Sequence, residues 1–285
     1  MSAPQERLRT PMEARDRAAP GQKSRRRSSL WTRRNLGITT LTLLVIVAAW
    51  TVVTSLQVFS PLLLPSPQRV WTAFVELSTA GFLGHTLYQD LGLSLERVAL
   101  GFLSGTIVGT LLGIFMGTSA NLNAFVNPLL QFFRPLPPLS YLVLIIVVFG
   151  IGEFPMDLVL FLSALPVAAI AARAGVMQTP IVRIQAAQSL GATPRDVFFR
   201  VVLPSALPEI FTGLRLAIGV VYSTIIAAEI IAGANGIGFL IYEAGNALRT
   251  DFVFVGIIVL GIFGLVLYVA LQLTERKIVH WAGKG

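Results

Sequence analysis

Residues 179–204 read TPIVRIQAAQSLGATPRDVFFRVVLP, a polar interlude between two long apolar stretches. Its punctuation encodes two short helices. Thr179 is placed to cap a helix opened by Pro180, and the run Ile181 to Leu190 stops at Gly191, the residue best able to take the left-handed conformation of a helix end. Thr193 and Pro194 repeat the start signal, Asp196 can reach back to the cap, and Val197 to Val202 continue as far as Leu203-Pro204. A helix of about eleven residues is marginal alone in water, so the first one needs a surface to pack on. Ile181, Ile184 and Leu190 supply an apolar side, and Gln185 and Gln188 supply polar contacts. Packing on the protein's own bundle and docking on a partner both meet that need.

The flanks of this loop place it in a membrane protein. Of the 285 residues, 54% are hydrophobic and only 13% charged, and the mean hydropathy is +0.75; a soluble domain carries about 25% charge. A helix crossing the ~30 Å hydrocarbon core needs about 20 apolar residues. Spans of that kind are predicted at about 36–56, 92–117, 155–175, 207–232 and 252–273. A further span, third in order, is interrupted by Arg134-Pro135-Leu136-Pro137-Pro138, through which no continuous helix can pass. The fold class is therefore an all-α integral membrane protein with six spans, and the loop 176–205 joins the fourth to the fifth. Between the first two spans, the Pro-rich stretch from Pro61 to Asp90 reads as an external loop with a short amphipathic helix.

Charge orients the bundle. Residues 1–36 hold ten Lys/Arg against Glu6, Glu13 and Asp16, leaving +7 of the net +8 in one tail. Such a tail before a hydrophobic helix marks the cytoplasmic side and touches anionic lipid, which explains it without nucleic acid. Poor in large apolar residues, residues 1–35 are expected to form a disordered cytoplasmic tail, with 36–285 as the transmembrane domain. Arg173, Arg183, Arg195 and Arg200 in the long loop, and Arg276, Lys277 and Lys284 at the end, put that loop and both termini on the same side. The apolar run at 36–56 is too long and too late for a cleaved signal peptide. With no Cys and only His85 and His280, thiol and zinc chemistry have no constellation, so no catalytic residue, metal or resident cofactor is expected. Nor does Gly233, Gly236 and Gly238 make a nucleotide loop, since no strand precedes it and no Gly-Lys-Ser/Thr follows; it reads as a tight external turn.

Charges within spans cost about 2.5–3.5 kcal/mol on insertion scales, so Arg134, Glu209, Arg215 and Glu229 each need a reason. Glu209 and Glu229 are twenty residues apart, about 30 Å along a helix, and can sit at opposite interfaces, with Arg215 snorkelling to the cytoplasmic side. Arg134, with Pro135, Pro137 and Pro138, sits at the helix break, where a cation either meets an anion in a translocation path or binds freed carbonyls. Together with Glu229 these are the candidates for the path.

The interlude resembles the cytoplasmic coupling motif of binding-protein-dependent ABC importer permeases, on Gln185-Ala186-Ala187, Gly191 and Leu203-Pro204. The usual pattern starts Glu-Ala-Ala; here Gln185 holds the acidic position. Arg183 to Ala192, with Gln188 among them, is similar to taurine permeases, which also lack the acid. The resemblance extends through Leu64-Pro65-Ser66-Pro67, Phe133 to Leu139, Phe149-Gly150-Ile151-Gly152-Glu153, Leu207 to Arg215 and Ala227-Ala228-Glu229, covering the chain apart from its tail. It identifies the nitrate/sulfonate/taurine permease family. That implies a type I importer permease fold in a bacterial inner membrane, working as a homodimer with two ATP-binding cassette subunits and a periplasmic or lipid-anchored substrate-binding protein. ATP and Mg would belong to the partner ATPase. Taurine or another alkanesulfonate is the implied cargo, nitrate the alternative; a stand-alone channel or secondary transporter is the competing class, weakened by the lack of an internal repeat.

Overall fold

The computed structural model describes residues 33–281, so residues 1–32 of the expected basic tail lie outside the described residues. The chain divides into two compact units, residues 1–50 and 51–285. The first supplies most of α1 (Arg33–Ser55), whose stretch Gly37–Ser55 is long and apolar enough to span a membrane.

In the second unit, Ser66 caps α2 (Pro67–Thr79) by accepting a hydrogen bond from the Arg69 N–H at 3.4 Å, with Pro67 in the first turn. Val70, Ala73 and Leu77 are its buried face, spaced three and four apart as in an amphipathic helix. The next helix, α3 (Leu87–Thr118), starts where the Thr86 N–H donates to Gln89 Oε1 at 2.8 Å. At ~1.5 Å per residue its 32 residues exceed the hydrocarbon thickness.

The core is the contact of α3 with α6 (Glu153–Met177), which run in the same direction. Gly101, Gly105, Gly109, Gly113 and Gly117 recur every fourth residue along α3 and form one face. A Cβ at Gly105 would lie 2.5 Å from the Phe161 carbonyl oxygen, and one at Gly113 2.2 Å from that of Ala169. The two backbones touch because those side chains are missing. In lipid, where no hydrophobic force pairs helices, close backbone approach is what holds such a contact.

The parallel run is possible because the chain returns between the two helices through α4 (Ala120–Phe133) and α5 (Pro138–Phe149), bent by 97° at the break. This is the interruption expected at Arg134 to Pro138. Apolar on all sides, α5 leaves Val143, Leu144 and Val147 exposed, as suits a helix facing lipid or another subunit.

After α6 come α7 (Ile181–Ser189) and α8 (Pro194–Val197), then a π turn at Phe198–Val202 leading into α9 (Leu203–Ala232). Leu203-Pro204 was expected to end the second loop helix, but it does not. The Leu203 N–H bonds the Phe198 carbonyl, five residues back; this wider turn absorbs the proline, and Pro194–Ala232 is one rod. On α6, α9 packs antiparallel: a Cβ at Gly213 would stand 2.2 Å from that of Ala171, and one at Gly175 2.8 Å from the Ala206 carbonyl oxygen. Beyond α9, the expected tight turn is a turn followed by a ten-residue helix, α10 (Ile237–Asn246), before α11 (Thr250–Ile278). The glycines masked an amphipathic segment that buries Ile237, Leu240 and Ala244.

Among the described residues, five helices are long and apolar enough to span a membrane, and the bent pair makes a sixth. Arg249 ties α11 to α2 through Glu76 at 2.9 Å and to Asp251 at 3.1 Å.

Candidate functional site

The interlude folds as two capped helices, with one start signal misread. Pro180, in extended conformation, begins α7 without any side-chain cap. Thr179 Oγ1 is buried and without a hydrogen-bond partner among the described residues, so it caps nothing. The end of α7 is as expected. Gly191 has φ +82°, its N–H bonds the Gln188 carbonyl at 2.9 Å, and the Ala192 N–H bonds that of Ala187 at 3.1 Å. These two crossed bonds close the helix in a Schellman motif.

The second start is as the sequence reads. Thr193 Oγ1 accepts from the Asp196 N–H at 3.3 Å, and the Thr193 N–H donates to Asp196 Oδ2 at 3.3 Å, a reciprocal capping box. Ile184, Ala187 and Ala192 pack on Val197, Val202, Ala206 and Ile210. Ile181 and Leu190 do not join that contact; Leu190 is 88% exposed. The inner face of α7 is thus narrower than its composition suggested, and Arg183, Gln185, Ala186 and Gln188 remain outward beside an apolar rim. A hollow of about 360 Å³ opens between Ala187, Leu190, Gly191, Ala192, Asp196 and Arg200.

At the helix break, Arg134 is the last turn's cap and is exposed, and its guanidinium makes no hydrogen bond or ion pair among the described residues. The break is closed by backbone instead: the Leu136 N–H bonds the Phe133 carbonyl at 3.1 Å and the Ser140 N–H that of Pro137 at 2.9 Å. A brace of Arg134 on free carbonyls is therefore not what the fold uses. Pro135 is exposed, and Pro137 and Pro138 set the start of α5.

Glu229 is not solvated, although it lies in the last turn of α9. It is 1% exposed and lies with Arg97, itself 3% exposed, at the end of the bundle away from α7. Arg97 Nη1 donates to Glu229 Oε1 at 2.9 Å and to the Asn235 carbonyl at 3.1 Å; its Nε and Nη2 form a fork on the two oxygens of Glu153, both at 2.7 Å. Ser94 Oγ donates to Glu229 Oε1 at 2.6 Å, and the Gly238 N–H to Oε2 at 2.8 Å. Asp90 accepts the Gly236 N–H at 2.9 Å. The cluster thus joins α3, α6, α9 and the turn 233–238, and it accounts for Glu229 by pairing where interfacial solvation was expected. Arg215 likewise pairs, with Glu275 of α11. Nothing in the sequence joined Arg97 to Glu229, 132 residues away; the nearest clue was two charges in apolar surroundings.

Residues 109–280 match the family described as binding-protein-dependent transport system inner membrane component. The chain belongs to that permease family. It is similar to the taurine transport system permease protein of Escherichia coli, 41% identical over 85% of this chain and 89% of that one. The aliphatic sulfonates transport permease of Bacillus subtilis is 32% identical over 83% of this permease and 84% of its own length. Among solved structures, the inward-facing MetNI methionine ABC transporter covers 67% of this chain and 95% of that chain, with a TM-score of 0.59 and 22% identity. The likeness extends the family assignment to the fold, a multi-pass ABC importer permease; partners that bind substrate and hydrolyse ATP are implied for the family as a whole.

Proposed function

We propose that this permease carries taurine or a related alkanesulfonate inward across a bacterial inner membrane, as a homodimer served by two ATP-binding cassette subunits and an external substrate-binding protein. Its identity to the taurine permease over most of both chains carries the substrate class. Both termini and the loop 176–205 face the cytoplasm in this reading, because the Lys/Arg excess lies there. The permease does no covalent chemistry; ATP and Mg stay on the partner.

Coupling rests on the loop. The outward residues of α7, Arg183, Gln185 and Gln188, with Ala186, meet the partner's cleft, while Ala187, Gly191 and Ala192 fix the turn behind them. The inner face of α7 presses on Val197 and Val202, and the π turn passes that motion without a gap into α9. In the last turn of α9, about 39 Å along the helix from Leu203, stand Glu229 and the buried cluster. Closure of two ATPases would thus reach the far end of the bundle through one rod. Arg134, beside Pro135, Pro137 and Pro138, lies exposed and unpaired at the bend of α4 and α5, where an anion passing between subunits would meet a free cation.

The test is reconstitution of the permease with its cognate ATPase and binding protein in liposomes. ATP-dependent uptake of labelled taurine, exceeding that of nitrate, is the expected result. Flux by the permease alone without ATP would favour a channel or secondary transporter and sink this reading.

A further inference from the structure

All five guanidinium hydrogens of Arg97 are engaged, but the partners are of two kinds. Three bonds go to Glu229 and to the Asn235 carbonyl and side-chain oxygens. Glu229 is fully enclosed, with 1% of its side chain exposed. The other two form the planar fork on Glu153, whose side chain is 61% exposed. Arg97 and Glu229 are both buried, whereas the pair with Glu153 is open on one side. Here one carboxylate is a fixed counterion and the other closes the open side of the same cation.

Glu153 also has somewhere to go. It is the first residue of α6, preceded by Gly150-Ile151-Gly152, where Gly150 has φ +83° and neither glycine has any atom within 4 Å of the place a Cβ would occupy. Ile151 before it is 77% exposed. A carboxylate released from Arg97 would remain beside a helix N-terminus, where negative charge is favoured.

We propose that Arg97 is an oxyanion station of the transport path and that Glu153 is its place-holder, exchanged for the sulfonate of the substrate. This rests on the function proposed above. Two sulfonate oxygens would accept the Nε and Nη2 donors that Glu153 now uses, in the bidentate geometry that guanidinium offers to carboxylate and other oxyanions alike. One anion leaves as another arrives, so Arg97 is never buried without its full complement of charge, the costly state in a low-dielectric interior. Glu229, Ser94, Asn235 and the turn 233–238 hold the guanidinium still throughout, as positioning residues. In the proposed topology this end of the bundle faces the binding protein, the side from which substrate arrives.

The experiment measures equilibrium binding of labelled taurine to the permease–ATPase complex in lipid nanodiscs, without binding protein. Glu153→Gln keeps the shape of the place-holder and removes its charge, while Glu229 still pairs with Arg97; thermal unfolding of the variant complex, run first, checks that it is folded. Its taurine Kd should fall about tenfold below wild type, as expected when a charged competitor becomes neutral, and unlabelled methanesulfonate should compete. Adding Arg97→Lys, which keeps the charge and loses the fork, should return binding to the wild-type level. Equal binding by wild type and Glu153→Gln overturns the exchange, as does a gain that survives Arg97→Lys. Uptake of taurine by the complete wild-type system, measured alongside, separates the two claims. If taurine is imported and Glu153→Gln binds no better, the station is wrong and the permease reading stands. If no sulfonate is imported, the substrate class fails and the sulfonate exchange fails with it.

Discussion

Gly113 of α3 lies so close to α6 that a Cβ there would stand 2.2 Å from the carbonyl oxygen of Ala169. No rotamer relieves that contact, because both atoms belong to the frame of their helices. Gly113→Ala should push the two helices apart and cost about 1–3 kcal/mol, the usual range for overpacking a tight interior. Gly219→Ala, on α9 with nothing within 4 Å, should be neutral or stabilising by up to about 1 kcal/mol through helix propensity. Thermal unfolding of the detergent-solubilised permease distinguishes the two, and equal melting temperatures would contradict the close-contact account.

The turn at Gly191 makes the opposite prediction about space. No atom lies within 4 Å of its missing Cβ, so only the backbone at φ +82° resists substitution. Gly191→Ala should cost about 1–2 kcal/mol of local stability, and Gly191→Asn less, since asparagine tolerates this conformation. Hydrogen exchange across residues 181–192 should be fastest in Gly191→Ala, intermediate in Gly191→Asn and slowest in wild type, and ATP-driven uptake should be lowest in Gly191→Ala and highest in wild type.

Breaking the Arg97–Glu229 pair leaves a buried guanidinium short of a counterion. Glu229→Leu should destabilise by about 3–5 kcal/mol, the range for removing one partner of a buried pair. Replacing both residues together with methionine should cost less than Arg97→Met alone, because it removes the stranded charge. A double-mutant cycle on thermal unfolding reads this directly; additive losses would mean that the two side chains do not act as a unit.

The Arg134 guanidinium makes no hydrogen bond or ion pair among the described residues, so Arg134→Gln should assemble and melt like wild type. Its effect should appear in transport alone, as slower taurine uptake by the reconstituted complex. A loss of assembly with no change in uptake per complex would give Arg134 a structural role that the geometry does not suggest.

What the sequence made legible was local. Six spans, the break at Arg134 to Pro138 and the caps at Gly191 and Thr193 follow from composition and from residues within a turn of one another. Thr179 was misread because Pro180 behind it takes the extended cap position itself, leaving the threonine buried one residue too early. Leu203-Pro204 was misread because proline stops an α-helix, whereas a π turn accommodates it. The Arg97 cluster was out of reach for a different reason: its members come from α3, α6 and α9, and only the tertiary fold brings them together. Of the candidate path residues, the fold moves Glu229 into that cluster and leaves Arg134 at the bend, so the two belong to different places. The glycine ladder lay in plain view at a four-residue period, but which helix it received, α6, depended on the tertiary fold.

The wide turn at Phe198–Val202 also sets the phase of the rod it belongs to. A π turn takes in one residue more than an α turn, and one residue is about 100° of rotation. The face that α8 shows to α7 and the face that α9 shows to α6 are therefore offset by a quarter of a circle or slightly more relative to a plain helix. Deleting a single residue there would leave every cap and every span intact and yet swing Glu229 away from Arg97 if α8 held its seat.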